Sequence, residues 1–565
     1  MPPTPSETAR AYHAITKHQS DRYARSAGFM DWDSQPSPFR RFPGAALIKL
    51  PLGAPCTRLT FGQMARGEKP APASQDPQGL AQIGRLLELG LGLTASKEFE
   101  GNRWILRANP SSGNLHPTEG YVILPEGSGH PAGVFHYAPQ DHLLELRCSL
   151  DREGSNKLAA LLPPGSFLVA LSTIQWREAW KYGERAFRYC ALDTGHAIGA
   201  LEYSAACTGL HPVSVPGWSD TDLAGLLGLQ READFEELDP WEREGPDVLI
   251  AMTPAVNTDG ESDILAIEIS PGSLLQILAH GTWHGKANEL SEVHHEWDVI
   301  HTTAAATERV ATFPSALLPP RPAPFSALTW PLQDASLEQI IRGRRSAVSM
   351  RAGAKISLQA FTRMLDATLQ REEFQPWRAW SEEPTVHLAI FVHRVEGLVP
   401  GLYFLERNSD HLEDLKGACR PDLLWDRHVA PSELGLPDLG LFLLRPGNSE
   451  SVARAISCQQ DIAADGVFSL GMVAKLAPLV DEDASKYRRL FWECGLIGQV
   501  LYIEAEAAGL RATGIGCFLD DMMHSLLGIQ SDDWQVLYHF TVGVPIQDDR
   551  LQTSPPYAHL DRSKL

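Results

Sequence analysis

The apolar positions of this chain follow a pattern that occurs twice. The stretch "AIGALEYSAACTGL", from Ala197, is small or apolar on nearly every side of a helix, and so is "GLIGQVLYIEAEAAGL", from Gly495. Helices of that kind suit close packing on both sides. Each ends at Gly-Leu, which marks a helix stop, and each predicts a loop and a short helix to follow. Further on, "DVLIAMTPAV" and "QVLYHFTVGV" are apolar β-branched runs fit for buried strands. Upstream, "GVFHYAPQDHLLEL" (133–146) and "GLYFLERNSDHLEDL" (401–415) each predict a strand, a polar turn and a second strand.

The two copies keep register. Gly195 matches Gly495, Gly209-Leu210 matches Gly509-Leu510, Asp220 matches Asp520, and Leu227-Gly228 matches Leu527-Gly528, all at an offset of 300 without a gap. Just before the long helices, "WKYGERAFRY" and "SKYRRLFWE" share a Lys-Tyr pair, which sets Lys181-Tyr182 against Lys486-Tyr487. A chain of 565 residues is too long for one hydrophobic core. The pattern therefore predicts two homologous α+β domains, at 61–290 and 336–565. Residues 1–60 form an N-terminal extension, and 291–335 a connecting helix and a proline-rich linker ("FPSALLPPRPAPFSALTWP"). The long helices, 190–208 and 490–508, are expected at a shared interface.

Charge narrows the partners. A formal net charge of −21 disfavours nucleic acid or an anionic membrane, since both need a basic face. No uncharged apolar stretch is long enough to cross a bilayer, and the N-terminus has no signal-peptide core. The eight cysteines include no CxxC spacing and read as reduced, mostly buried thiols, which predicts a cytoplasmic protein. "VHHEW" (293–297) lacks metal-ligand spacing and reads as surface helix, so no metal site is expected.

Three segments carry candidate chemistry, and each occurs in one copy only. "NPSSGNLHP" (109–117) offers the hydroxyls of Ser111 and Ser112 and the amide of Asn114, with Pro110 and Gly113 shaping a loop that could wrap a polar group. Arg344, Arg345 and Ser346 suit a phosphate, because guanidinium gives paired N–H donors. Gly514, Ile515 and Gly516 follow the second long helix and could turn backbone N–H groups toward a ligand. The plain alternatives are a capped turn, a solvated basic pair and a helix exit; His116 reads more simply as a structural hydrogen-bonder.

Several of these phrases resemble a known family. "RRSAV", "PGLY" and "GLRATGIGCFLDD" resemble the nitroreductase superfamily, and "NPSSGNLHPTE", "KYGERAFRY" and "HGKANELS" are similar to its SagB-type (thiazoline/oxazoline) dehydrogenase branch. The resemblance implies an FMN-binding α+β fold whose members pair as dimers with flavin between subunits. Here the parts are unequally distributed, which implies an intramolecular pseudo-dimer with one FMN site. Pro110, Ser111, Ser112 and Asn114 would form one wall, Arg344, Arg345 and Ser346 the other, and Gly514–Gly516 would approach the ring. Lys181 and Tyr182 would be catalytic, with Lys181 deprotonated by burial. The reciprocal site would be empty. The implied activity is oxidation of a small or peptide-borne azoline to an azole, alongside biosynthetic partner enzymes. An NAD(P)H-dependent nitro- or quinone-type reductase and a non-catalytic scaffold remain alternatives.

Overall fold

A computed structural model describes residues 2–68, 76–255, 266–310, 334–371, 374–380, 382–429, 437–548 and 550–560. The proline-rich linker lies almost wholly outside the described residues.

Two antiparallel sheets dominate the chain. The first runs in the order Ala46–Lys49, Leu143–Ser149, Gly133–Ala138, Thr118–Leu124, Phe167–Ile174, Glu244–Pro254, Leu210–Ser214. The second runs Asp426–Arg427, Leu441–Pro446, Gly401–Leu405, Val386–Val392, Phe468–Lys475, Trp534–Gly543, Arg511–Ile515; its last six strands repeat the order of the first sheet, and the outer strands Ala46–Lys49 and Asp426–Arg427 do not correspond. The central strands are buried along their whole length, as their unbroken apolar runs require. A strand from within residues 1–60, Ala46–Lys49, thus edges the first sheet.

Three local expectations change. Each segment after Gly-Leu is an edge strand, Leu210–Ser214 or Arg511–Ile515, where the sequence suggested a loop. "NSDHLEDL" turns into a helix at Leu412–Ala418, where a second strand was expected, after the Asn408 side chain accepts from Asp410 N. "VHHEW" is not helical; the helix starts at Asp298, and His294 is drawn to Glu242 at 2.8 Å.

The two long helices, Ala186–Thr208 and Lys486–Ala507, are buried nearly throughout and pack on each other. They cross at Gly195 and Gly495. A β-carbon on Gly195 would sit 2.1 Å from Trp492 O, and one on Gly495 would sit 2.1 Å from Leu192 O. Only glycine permits that approach. Two ion pairs flank the crossing at the same offset: Arg188 holds Asp520 at 2.9 Å, and Arg488 holds Asp220. These groups are buried, so losing one partner would strand a charge at a cost of about 3–5 kcal/mol.

The crossing makes a prediction. Gly495→Ala should destabilise the fold by about 1–3 kcal/mol through overpacking. Gly417→Ala, in a helix with open space where its β-carbon would go, should stabilise it by about 0.5–1 kcal/mol. Urea midpoints of the two variants check this; a Gly495→Ala midpoint at or above that of the parent would contradict the packing account.

Both ends of the chain cross between halves. The helix Pro5–Ile15 lies against the start of the second long helix, with Tyr12 edge-on to both Phe187 and Tyr487. The strand Gln552–Ser554 pairs with Leu93–Phe99, and Tyr557 accepts from Leu93 N at 3.0 Å.

Candidate functional site

A cavity of about 450 Å³ opens between the halves, within the range that holds cofactor-sized ligands. Eleven of the twelve site residues singled out above line it, from Pro110 to Gly516; Lys181 stands just behind. Three separated segments therefore meet in one place.

The loop 110–114 is held from behind. Arg177, fully buried, donates to His116 O at 2.7 Å and pairs with Glu119, which also holds His136 at 3.0 Å. Gly113, Asn114 and His116 all take left-handed backbone angles, which is costly for the latter two. A β-carbon on Gly113 would lie 2.6 Å from Tyr182 Oη and 3.1 Å from Lys181 Nζ. The glycine lets the loop seat on the Lys-Tyr pair.

The polar side chains of this loop are largely engaged within the protein. Ser112 donates to Asp193 through its N (3.0 Å) and its Oγ (3.1 Å). Ser111 Oγ accepts from His116 N at 2.8 Å, and Asn114 donates to Ile105 O at 2.9 Å while its Oδ1 meets His116 Nε2. The hydroxyls of Ser111 and Ser112 and the amide of Asn114 line the cavity while already holding partners within the protein.

The glycine segment is engaged in the same way. Gly514 N donates to Tyr502 Oη at 3.1 Å, and Gly516 O accepts from Arg185 at 3.2 Å. β-carbons on Gly514 and Gly516 would collide with Tyr538 Oη (1.8 Å) and the Tyr189 ring (2.3 Å). These glycines make room for two tyrosines over an edge strand.

The arginines fit an anion. Arg344 is buried and donates to Arg107 O at 3.0 Å, with its Nε unpartnered. Arg345 donates to Thr94 O at 3.1 Å, and Ser346 Oγ lies 2.9 Å from Tyr502 Oη. Neither arginine is ion-paired with a carboxylate among the described residues, an unusual state in so acidic a chain. Burial, then Arg344, pulls Arg345 down to about 10, where it is still a cation at neutral pH. Among the described residues no group of three His, Cys, Asp or Glu side chains could hold a metal, and no helix is long and apolar enough to cross a membrane.

Sequence reading missed the carboxyls beneath the loop. Asp193 lines the cavity, and burial raises it to about 7 despite its serine donors. Glu178, fully buried behind Ser111, is pushed well above the ordinary range by burial and by Asp193. Tyr182 is raised well above 10 by burial and Glu178, so it stays a neutral hydroxyl. Asp193 lies two residues before the repeated Gly195, yet nothing local in the sequence said that it faces a cavity.

Raised acids predict a pH dependence. Asp193 and Glu504 sit at about 7 and Glu202 at about 8, each lifted by burial, while two carboxylates hold His136 at about 9 against burial. All four have folded pKa values above their unfolded ones, so each loses stability as pH rises through the folded value. Buried histidines such as His196 and His539, held near 3, are neutral in both states above about pH 6.5 and do not oppose this. Stability should therefore fall above about pH 6.5, with the loss from Asp193 and Glu504 complete near pH 7, that from Glu202 near 8 and that from His136 near 9, by up to about 1.4 kcal/mol per group per pH unit. Thermal midpoints across that window check it; a midpoint that rises would refute it.

The equivalent place on the other side is nearly closed. At the 300-residue offset, Ser214, Val215 and Pro216 stand for Gly514–Gly516, and Arg489 stands for Tyr189. With Trp380, Trp492 and Arg309 they leave about 80 Å³. The Lys-Tyr match also fails: Tyr487 lies level with Phe187, stacked on it at 6.4 Å, and is buried under Tyr12 and His13. Lys486 pairs with Glu482 at 2.7 Å. The Lys181-Tyr182 pair has no positional counterpart.

Comparison with known proteins agrees with this fold. Residues 459–544 match the nitroreductase family. Over 160 residues the chain is 27% identical to a protein of Methanocaldococcus jannaschii provisionally named a nitroreductase, covering 27% of this chain and 76% of that one. A crystal structure from Anabaena variabilis, likewise provisionally named, superposes with TM-score 0.63 at 20% identity over 95% of this chain and 99% of its own. A chain of the Escherichia coli microcin synthetase McbBCD complex overlaps 36% of this chain and 70% of its own at 13% identity; its TM-score of 0.27 is too low to bear on function. The fold over most of the chain is thus that of a provisionally named nitroreductase, and within the second half residues 459–544 are similar to the nitroreductase family.

Proposed function

We propose that this protein is an FMN-dependent dehydrogenase of the SagB type, with one flavin site built from two domains of a single chain acting as a pseudo-dimer. The observation that supports it most is the 450 Å³ cavity, where two buried or half-buried arginines without ion pairs meet the Pro-Ser loop of the other half. Arg344, Arg345 and Ser346 would hold the phosphate, and the loop and the Gly514–Gly516 strand would flank the rest. The 80 Å³ counterpart supports one flavin per chain.

Bound FMN would supply a two-electron acceptor for hydride. The chain must then take the accompanying proton from the substrate, a small or peptide-borne azoline. Lys181 and Tyr182 stand against Gly113 at the cavity wall, and Asp193, with a proton affinity near neutrality, lies behind Ser112. Tyr182, as a neutral hydroxyl, can donate to a substrate heteroatom or pass a proton between groups. The test is to incubate the FMN-loaded protein with a thiazoline-bearing peptide in air. Loss of two hydrogens with azole absorbance is expected; NAD(P)H-driven nitro reduction without azole formation would select the reductase reading instead. A colourless protein that takes up no FMN would select the scaffold.

A further inference from the structure

Two sulfurs meet at the mouth of the cavity. Cys517 follows directly on Gly516, and Cys458 stands two residues before Gln460; Cys517 and Gln460 both line the cavity. The Sγ atoms of Cys458 and Cys517 lie 2.8 Å apart although 59 residues separate them in sequence. Both are free thiols and both are partly exposed, unlike five of the other six cysteines. The sixth, Cys56, is partly exposed as well, but it faces Arg85 at 3.0 Å and the buried Cys207.

The surroundings prepare this pair. Cys458 and Gln459 both hold left-handed backbone angles, a costly state for residues with side chains. Gln460 Nε2 donates to Cys517 O at 3.1 Å, which pins the two segments together. Arg185, whose Nη2 reaches Gly516 O, puts a cation beside Cys517. The Cys517 thiol is drawn below its usual range by its hydrogen bond with Cys458 and, against burial, by Arg185, whereas Cys458 is raised, so Cys517 is the readier of the two to act as thiolate. Low pKa, exposure and a neighbouring resolving thiol are what distinguish reactive cysteines from structural ones.

We propose that Cys458 and Cys517 form a reversible disulfide by exchange with low-molecular-weight disulfides, which makes the cavity mouth a redox-responsive site. The Cys517 thiolate attacks one sulfur of R–S–S–R, forming a Cys517–S–S–R mixed disulfide and releasing RS⁻. Cys458 then gives its proton to solvent and attacks Cys517 Sγ, forming Cys458–S–S–Cys517 and releasing the second RS⁻. The two thiols are oxidised by two electrons, and the small disulfide is reduced to two thiols. The link would tie the strand carrying Gly514–Gly516 to the segment carrying Gln460. None of this depends on which cofactor or substrate the cavity takes.

Full-length protein equilibrated in glutathione redox buffers, acid-quenched, alkylated and mapped by peptide mass spectrometry tests the proposal. The expected result is one intramolecular link, Cys458 to Cys517, reversed by excess reduced glutathione. Cys458→Ser should trap glutathione on Cys517, and Cys517→Ser should react about tenfold more slowly than the parent. Mapping the parent needs no variant, so a misfolded substitution does not spare the idea. Both cysteines alkylated after oxidation, glutathione retained on Cys517 of the parent, or a Cys56–Cys207 link in its place would each overturn it.

Discussion

Lys181→Ala is expected to lower substrate oxidation by about 10²–10⁴-fold while FMN stays bound, and Tyr182→Phe to do nearly as much. Dehydrogenation needs a proton acceptor within reach of the substrate, and this pair sits where the loop 110–114 closes on the cavity. Among the described residues neither side chain is hydrogen-bonded or ion-paired to Arg344, Arg345 or Ser346, so flavin content should be spared. Lys486→Ala is the control, since Lys486 pairs with the exposed Glu482 and does not line the cavity. Tyr487→Phe is a poorer control than sequence matching suggested, because its hydroxyl lies 3.3 Å from His13 in the core. Steady-state oxidation rates with the flavin absorbance of each variant decide the matter. A Lys181→Ala enzyme of full rate would remove the base from this residue, and retained nitro reduction in the same variant would favour the reductase.

The second large effect concerns the phosphate end. Native protein should carry about one FMN per chain, and Arg345→Ala should weaken FMN binding by about 1.5–3 kcal/mol, roughly ten- to hundredfold. Arg345 is the better target of the two arginines. Arg344 is fully enclosed and also supports Arg107 O, so its loss would mix binding with folding. Equilibrium titration of the stripped protein with FMN measures the change. Two flavins per chain would contradict the single site, as would unaltered affinity in Arg345→Ala. Binding of the second would have to open the tryptophan-filled counterpart of about 80 Å³.

Much of this protein was legible before any coordinates. The long helices, their glycine stops, the central strands and the offset of 300 follow from local periodicity, capping and a repeated register, which neighbouring residues enforce. The unequal distribution of the Arg-Arg-Ser, Pro-Ser and glycine segments suggested that they belong together, and all three line one cavity. Other features depend on what approaches from far along the chain. Whether Ser112 faces a ligand or Asp193, whether Gly514 N–H is free or given to Tyr502, and whether Tyr487 lies level with Tyr182 or Phe187 were decided only by packing. So were the meeting of Cys458 with Cys517 and the closing of the second pocket by Trp380 and Trp492. A sequence specifies which groups can hydrogen-bond and which faces must be buried. Partners hundreds of residues away compete for the same donors, and only the folded chain settles that competition.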